Sequence, residues 1–174
     1  ELFAAFETAG ARAYSNYAVG YNNVDVESAT GHGIPVGNTP GVLTETTAEM
    51  AVALTFAAAR RVVEGDSLMR GGHYKGWLPS MLLGELLRGK TVGVIGAGRI
   101  GTAFARMMAE GHKMNVLYYD LCPSRPLEKR IEAYAEFLKS LGEEPVFCRR
   151  TETVEDLLVE ADVVSLHTVL DETT

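Results

Sequence analysis

The chain is poor in cysteine: only Cys122 and Cys148 occur in 174 residues, far apart and without a CxxC or Cys/His metal spacing. Neither a disulfide framework nor a bound metal is expected, and both read as free thiols of a reducing compartment. A basic excess is also missing, with 16 Lys and Arg against 23 Asp and Glu and a net charge of −7. The pairs Arg60-Arg61 and Arg149-Arg150 are too short for a phosphate-backbone patch, so no nucleic-acid partner is expected. Nor is there a long apolar run: Met50 to Ala59 is about half of a membrane span, and no charged leader precedes a cleavable apolar segment. The expectation is a soluble chain with no membrane partner. Repeats and low-complexity tracts are absent too, and the length suits one well-buried domain with a little extra.

What is present centres on Val92-Gly-Val-Ile-Gly-Ala-Gly-Arg-Ile-Gly101. Thr91 to Ile95 reads as a short buried strand, apolar and β-branched apart from Gly93. Gly96 permits a tight turn, Gly98 lets backbone approach a pyrophosphate, and Gly101 lets the following helix lie close to the strand. Ile100, Ala103, Phe104, Met107 and Met108 then recur at helical spacing until Gly111. Asn115 to Tyr119 reads as a second strand, closed by Asp120, 19 positions after Gly101, where a carboxylate can accept from an adenosine ribose. Strand, glycines, helix, strand and terminal acid in one unit make a dinucleotide site far more specific than a bare GxGxxG. Asp120 should repel a 2′-phosphate and favour NAD(H), while nearby Arg125 leaves NADP(H) as the less favoured alternative.

Upstream, residues 1 to 38 carry α/β punctuation: a helix from Glu1, a strand near Ala13-Tyr-Ser15, a glycine turn at Val19-Gly20, a helix from Val24 and a strand at Ile34-Pro-Val36. Thr44 to Val63 reads as one long alanine-rich helix with Thr44 as N-cap. Gly71 to Pro79 reads as an ordered loop whose Tyr74 and Trp77 should be packed, within the chain or as an arm on another subunit. Downstream the spacing predicts a helix over Leu127 to Leu141, a strand at Pro145 to Cys148, a helix over Val154 to Ala161 and a strand at Asp162 to Leu166. Alternating strands and helices imply a Rossmann-type, doubly wound parallel α/β sheet. Too few residues remain for its second half, so the sheet is expected to be incomplete. The chain starts without Met and stops just past a strand, so both ends read as cut.

The segments Ser15 to Asp25, Gly37 to Glu49, Val92 to Gly101 and Ser165 to Thr174 together resemble the D-isomer-specific 2-hydroxyacid dehydrogenases, nearest to the plant and green-algal peroxisomal branch that reduces hydroxypyruvate. The resemblance implies that residues 1–38 end the first portion of a flavodoxin-like substrate domain and that 39–174 begin the NAD-binding domain. It matches Val19 and Gly20 to a loop whose N–H groups hold the substrate carboxylate, although a plain turn would look the same. It places Thr47 near the nicotinamide, Arg99 and Ile100 at the pyrophosphate, Asp120 at the ribose, and His167 and Thr168 in a turn passing the cofactor. Thr168 stands where a proline is frequent.

His167 is the tempting catalytic histidine, yet in this family the proton-transferring histidine lies further along, with its carboxylate partner and a carbonyl-polarising arginine. No catalytic residue is therefore expected within 1–174, and this stretch alone should be inert. The implied activity is NAD(H)-dependent reduction of hydroxypyruvate to D-glycerate, with glyoxylate to glycolate as a lesser reaction. Alternatives are a phosphoglycerate- or formate-type relative and a non-enzymatic, corepressor-like NAD-sensing module. A small 2-oxo or 2-hydroxy acid and a homodimer, using helix 44–63 and the Gly71–Pro79 loop, are the implied partners. A peroxisomal location follows from the family alone; otherwise the cytoplasm is expected.

Overall fold

A computed structural model describes residues 1–169, so the last five residues of the Ser165–Thr174 motif lie outside the described residues. The chain divides into two compact units, 1–43 and 44 onward.

In the first unit, α1 (Leu2–Thr8), β1 (Tyr14–Ser15), α2 (Val26–Gly31) and β2 (Val36–Gly37) enclose Phe3, Ala29 and Ile34. β1 and β2 pair in parallel, with Tyr14 opposite Val36. The second strand starts later than the expected Ile34, because Pro35 has no N–H to contribute and only its carbonyl is used, accepting from the Tyr14 N–H at 2.9 Å. The helix expected from Val24 begins instead at Val26, since the Asp25 carboxylate caps it by accepting the Ser28 N–H at 2.8 Å.

The second unit is built on a four-stranded parallel sheet in the order β5-β4-β3-β6, with β3 Thr91–Ile95, β4 Asn115–Tyr119, β5 Cys148–Arg150 and β6 Val163–Leu166. That order places the first nucleotide strand in the middle, as the doubly wound fold requires. Val92 and Val94 face α5 (Arg99–Arg106), whose final turn widens into a π-helix over Met107–Gly111. Phe104 and Met108 are wholly buried there, as the helical spacing predicts. Gly93 points the other way, toward α7 (Val154–Glu160), where a Cβ would lie 2.4 Å from Leu157 and 2.9 Å from Ala161. α6 (Arg125–Ser140) sits beside β5 and buries Leu127, Ile131 and Leu138.

Two further expectations are corrected. The long helix is two helices, α3 (Thr44–Ala59) and α4 (Val62–Arg70), with Thr44 already helical instead of capping. The break falls at Arg61, which is left-handed at φ 53°. Its cause lies downstream: Glu85 donates its N–H to the Ala59 carbonyl at 2.8 Å, and Gly84 packs so close that a Cβ would sit 2.5 Å from that oxygen. The third strand starts at Cys148, not Pro145, and carries Arg149 and Arg150, which are held by Glu160 and by the Asp120 carbonyl. Trp77 is 77% exposed and Tyr74 46% exposed, so of the two expected uses of this loop, packing within the chain is not the one the described residues show.

Both cysteines are free, and burial pushes the Cys148 thiol up to about 12. Among the described residues no cluster could hold a metal, and no helix is long and apolar enough to cross a membrane.

Candidate functional site

The carboxyl ends of β3, β4 and β6 converge on the glycine turn. Gly96 adopts φ +92° and donates its N–H to the Tyr119 carbonyl at 2.8 Å, tying the turn to the end of β4. A Cβ there would lie 2.9 Å from the carbonyl of His167 and 3.1 Å from Thr168, so the turn after β6 closes directly over it. His167 is itself fixed by its N–H on the Ile95 carbonyl at 2.8 Å. Gly101 is the point where α5 meets the strand: a Cβ would approach the Gly96 oxygen to 2.0 Å and Val94 to 3.2 Å. These contacts place Gly96, Gly101, His167 and Thr168 together.

Gly98 differs from its neighbours. It forms the N-cap of α5, it is exposed, and nothing lies within 4 Å of a Cβ built on it. No side chain caps this helix start. The first-turn N–H groups therefore have no side-chain acceptor, the arrangement that suits an anionic group at a helix N-terminus. The Arg99 side chain, exposed at the same end, makes no hydrogen bond or ion pair among the described residues. Ile100 lies half-buried behind it against the core. An open cradle, unclaimed N–H donors and a free guanidinium fit a pyrophosphate.

Asp120 has a use that the motif spacing did not disclose. One carboxylate oxygen accepts the Ala97 N–H at 2.7 Å, inside the glycine turn, and the other accepts the Cys122 N–H at 3.1 Å. Each oxygen keeps capacity for a further donor such as a ribose hydroxyl. Arg150 lies behind it, giving hydrogen bonds from Nε and Nη2 to the Asp120 carbonyl at 3.1 and 2.9 Å. Tyr118, wholly buried, accepts the Ser124 N–H at 2.9 Å and donates to Glu128 at 2.7 Å. Its phenol is pushed up to about 12 by burial and by Glu128. Nothing in the local sequence flags Arg150 or Glu128, because their partners lie 30 and 10 residues away.

His167 is half-buried, its ring tilted at 43° against that of Phe104 with centroids 5.1 Å apart, and it lies 2.9 Å from the Ser165 hydroxyl. Burial lowers its pKa, so the ring is neutral at neutral pH. No carboxylate pairs with it among the described residues, which is not the arrangement of a histidine–acid pair. Thr47 is exposed on α3 and lines, with Ala51, Ser165, Leu166 and His167, a groove of about 850 Å³ beside β6.

In the first unit, the Val19–Gly20 turn is held by its carbonyls. The Asn38 side-chain amide donates to the Val19 oxygen at 2.9 Å, and that of Asn16, a buried residue, donates to the Gly20 oxygen at 2.8 Å. Neither N–H of this turn is claimed by another described residue. Two adjacent free donors on a fixed turn make a small anion cradle.

The family model for the D-isomer specific 2-hydroxyacid dehydrogenase NAD binding domain matches residues 52–174. The chain is 63% identical over 173 residues to the peroxisomal glycerate dehydrogenase of Arabidopsis thaliana, covering 99% of this chain and 45% of that protein. It is 49% identical over 164 residues to a glyoxylate reductase of Korarchaeum cryptofilum, covering 94% of this chain and 44% of the relative. The crystal structure of the TT0316 protein from Thermus thermophilus superposes with a TM-score of 0.78 at 42% identity, over 95% of this chain and 46% of that one. The chain thus spans a little under half the length of the proteins it matches. With the glycine turn, the open helix start and the carboxylate of Asp120 in place on a parallel sheet, it belongs to the D-isomer-specific 2-hydroxyacid dehydrogenases, whose NAD-binding domain residues 52–174 match.

Proposed function

We propose that the full-length protein carrying this chain reduces hydroxypyruvate to D-glycerate with NADH, and glyoxylate to glycolate more slowly. The observation that carries the reading is the 63% identity to a glycerate dehydrogenase, continuous across both units. Its division of labour assigns residues 1–38 to the end of the substrate domain's first portion and 39–174 to the NAD-binding domain. In it, the N–H groups of Val19 and Gly20 hold the substrate carboxylate. Gly96, Gly98, Gly101, Ile100 and Arg99 hold the pyrophosphate at the start of α5, and Asp120 accepts from the ribose. His167 and Thr168 line the cofactor, with Thr47 on the nicotinamide side. Bound nicotinamide supplies the hydride, and the protein supplies orientation and charge. Neutral His167, bonded to Ser165, is a lining residue, so polarisation of the carbonyl and proton transfer fall to residues outside 1–174.

The test is NADH oxidation by the full-length protein with hydroxypyruvate, glyoxylate, 3-phosphohydroxypyruvate and pyruvate. The highest kcat/KM is expected with hydroxypyruvate, and none from residues 1–174 alone. A higher value with a phosphorylated acid would transfer the protein to the phosphoglycerate-type relatives. Cofactor binding without turnover of any 2-oxo acid would favour a corepressor-like module. A peroxisomal location, carried by the Arabidopsis relative's name, belongs to the same proposal.

The same reading makes the protein a homodimer. Trp77 and Leu78 of the Gly71–Pro79 loop, and Met50, Leu54, Val62 and Val63 of the 44–63 stretch, are all largely exposed apolar side chains of the kind a subunit interface covers. Trp77→Ser is expected to weaken self-association by at least about thirtyfold, the effect of losing a central aromatic anchor. Sedimentation across a concentration series reads this, and an unchanged dimer constant would remove Trp77 from the interface.

A further inference from the structure

The corner of the sheet beyond Asp120 contains more charge than the ribose needs. Two arginines, Arg125 and Arg150, and two carboxylates, Asp120 and Glu128, sit around the loop from residue 120 to 125. Arg150 is committed: it bonds the carbonyls of Asp120 and Leu121, so moving it would release the loop. Arg125 is not. Its side chain is 75% exposed at the start of α6, a short loop past Asp120, and among the described residues its partner is Glu128, with Nη1 at 2.9 Å from Oε2.

Glu128 in turn cannot swing away, because its other oxygen accepts the hydroxyl of wholly buried Tyr118 at 2.7 Å. That hydroxyl, and secondarily Arg125, hold the Glu128 carboxyl below the usual carboxylate range, so it is ionised at neutral pH. The chain of contacts therefore runs from a buried anchor, through a fixed carboxylate, to an exposed cation at this corner.

We propose that Glu128 is a positioning residue for cofactor choice: anchored by Tyr118, it holds Arg125 off the ribose 2′ position and so reinforces the selection of NADH over NADPH that Asp120 exerts directly. Without Glu128 the corner carries one more net positive charge, and Arg125 is released to a 2′-phosphate, a group that guanidinium binds well. The proposal rests on the assignment of Asp120 to the ribose.

The experiment is fluorescence titration of NADH and NADPH into the full-length protein and its variants Asp120→Ala, Glu128→Gln and Glu128→Gln/Arg125→Ala, with thermal unfolding as the check on fold. Glutamine keeps an acceptor for Tyr118, so the anchor is retained. Glu128→Gln is expected to raise the NADPH-to-NADH affinity ratio about fivefold, the scale of one partly exposed charge pair, and removing Arg125 as well is expected to return it to the parental value. A gain that persists without Arg125, or a ratio that Glu128→Gln leaves unchanged while Asp120→Ala raises it, overturns the role of Glu128 alone. A ratio insensitive to Asp120→Ala overturns the ribose assignment beneath it.

Discussion

Gly101→Ala should cost the nucleotide unit its close helix–strand contact and lower its stability by about 3 kcal/mol or more, the upper end of overpacking penalties. The added Cβ would stand 2.0 Å from the Gly96 carbonyl oxygen and 3.1 Å from its carbon. That oxygen has nowhere to go. Gly96 is tied through its N–H to Tyr119 and is roofed by the His167 carbonyl, so relief requires α5 to lift off β3 and expose the surface that buries Val94 and Phe104. Domains of this size lose roughly 2–4 °C per kcal/mol, so the expected fall in melting temperature is about 10 °C, a large part of a typical stability margin. Circular dichroism melting of the full-length protein reads it. A melting point within about 2 °C of the parent would mean that the helix start is plastic and the glycine turn not rigid. Gly93→Ala is the milder comparison, because its obstacles are side-chain atoms, the end of Leu157 and the Ala161 Cβ at 2.9 Å, instead of backbone.

The contrast between what could and could not be read from the sequence follows the range of the interactions involved. β3 and β4 occupy the predicted Thr91–Ile95 and Asn115–Tyr119 because a strand buried on both faces announces itself locally, as a β-branched run stopped by glycine or acid. The glycine turn is equally local. The interruption between α3 and α4 is not: Arg60 and Arg61 are good helix formers, and the chain breaks there because residues 84 and 85 dock on the end of α3. β5 starts at Cys148 instead of the expected Pro145 for the same reason. Val146 and Phe147 look more strand-like than Arg149 and Arg150, but the arginines stay in the ladder by reaching Glu160 and the Asp120 carbonyl. At the site, the spacing to Asp120 was legible, whereas its bond to the Ala97 N–H, and the support of the whole loop by Arg150, Tyr118 and Glu128, exist only after folding.

Gly98→Ala should do the reverse of Gly101→Ala, keeping the fold and losing the cofactor. Gly98 lies at φ −71°, a backbone conformation open to any residue, and its Cβ would meet no protein atom within 4 Å. Replacing it neither strains the turn nor crowds the core, and the melting temperature is expected to stay within about 2 °C of the parent. The space entered by the methyl group is, on the present reading, that of the pyrophosphate, which must sit against backbone N–H groups to use them. A methyl at that position holds the phosphates off several donors at once, and about 2.7 kcal/mol of lost contact corresponds to about a hundredfold weaker NADH binding. Fluorescence titration of NADH, run beside the melting curves, separates the two glycines: one substitution moves stability, the other affinity. If Gly98→Ala binds NADH as the parent does, the pyrophosphate does not cross this glycine, and the open start of α5 has some other occupant.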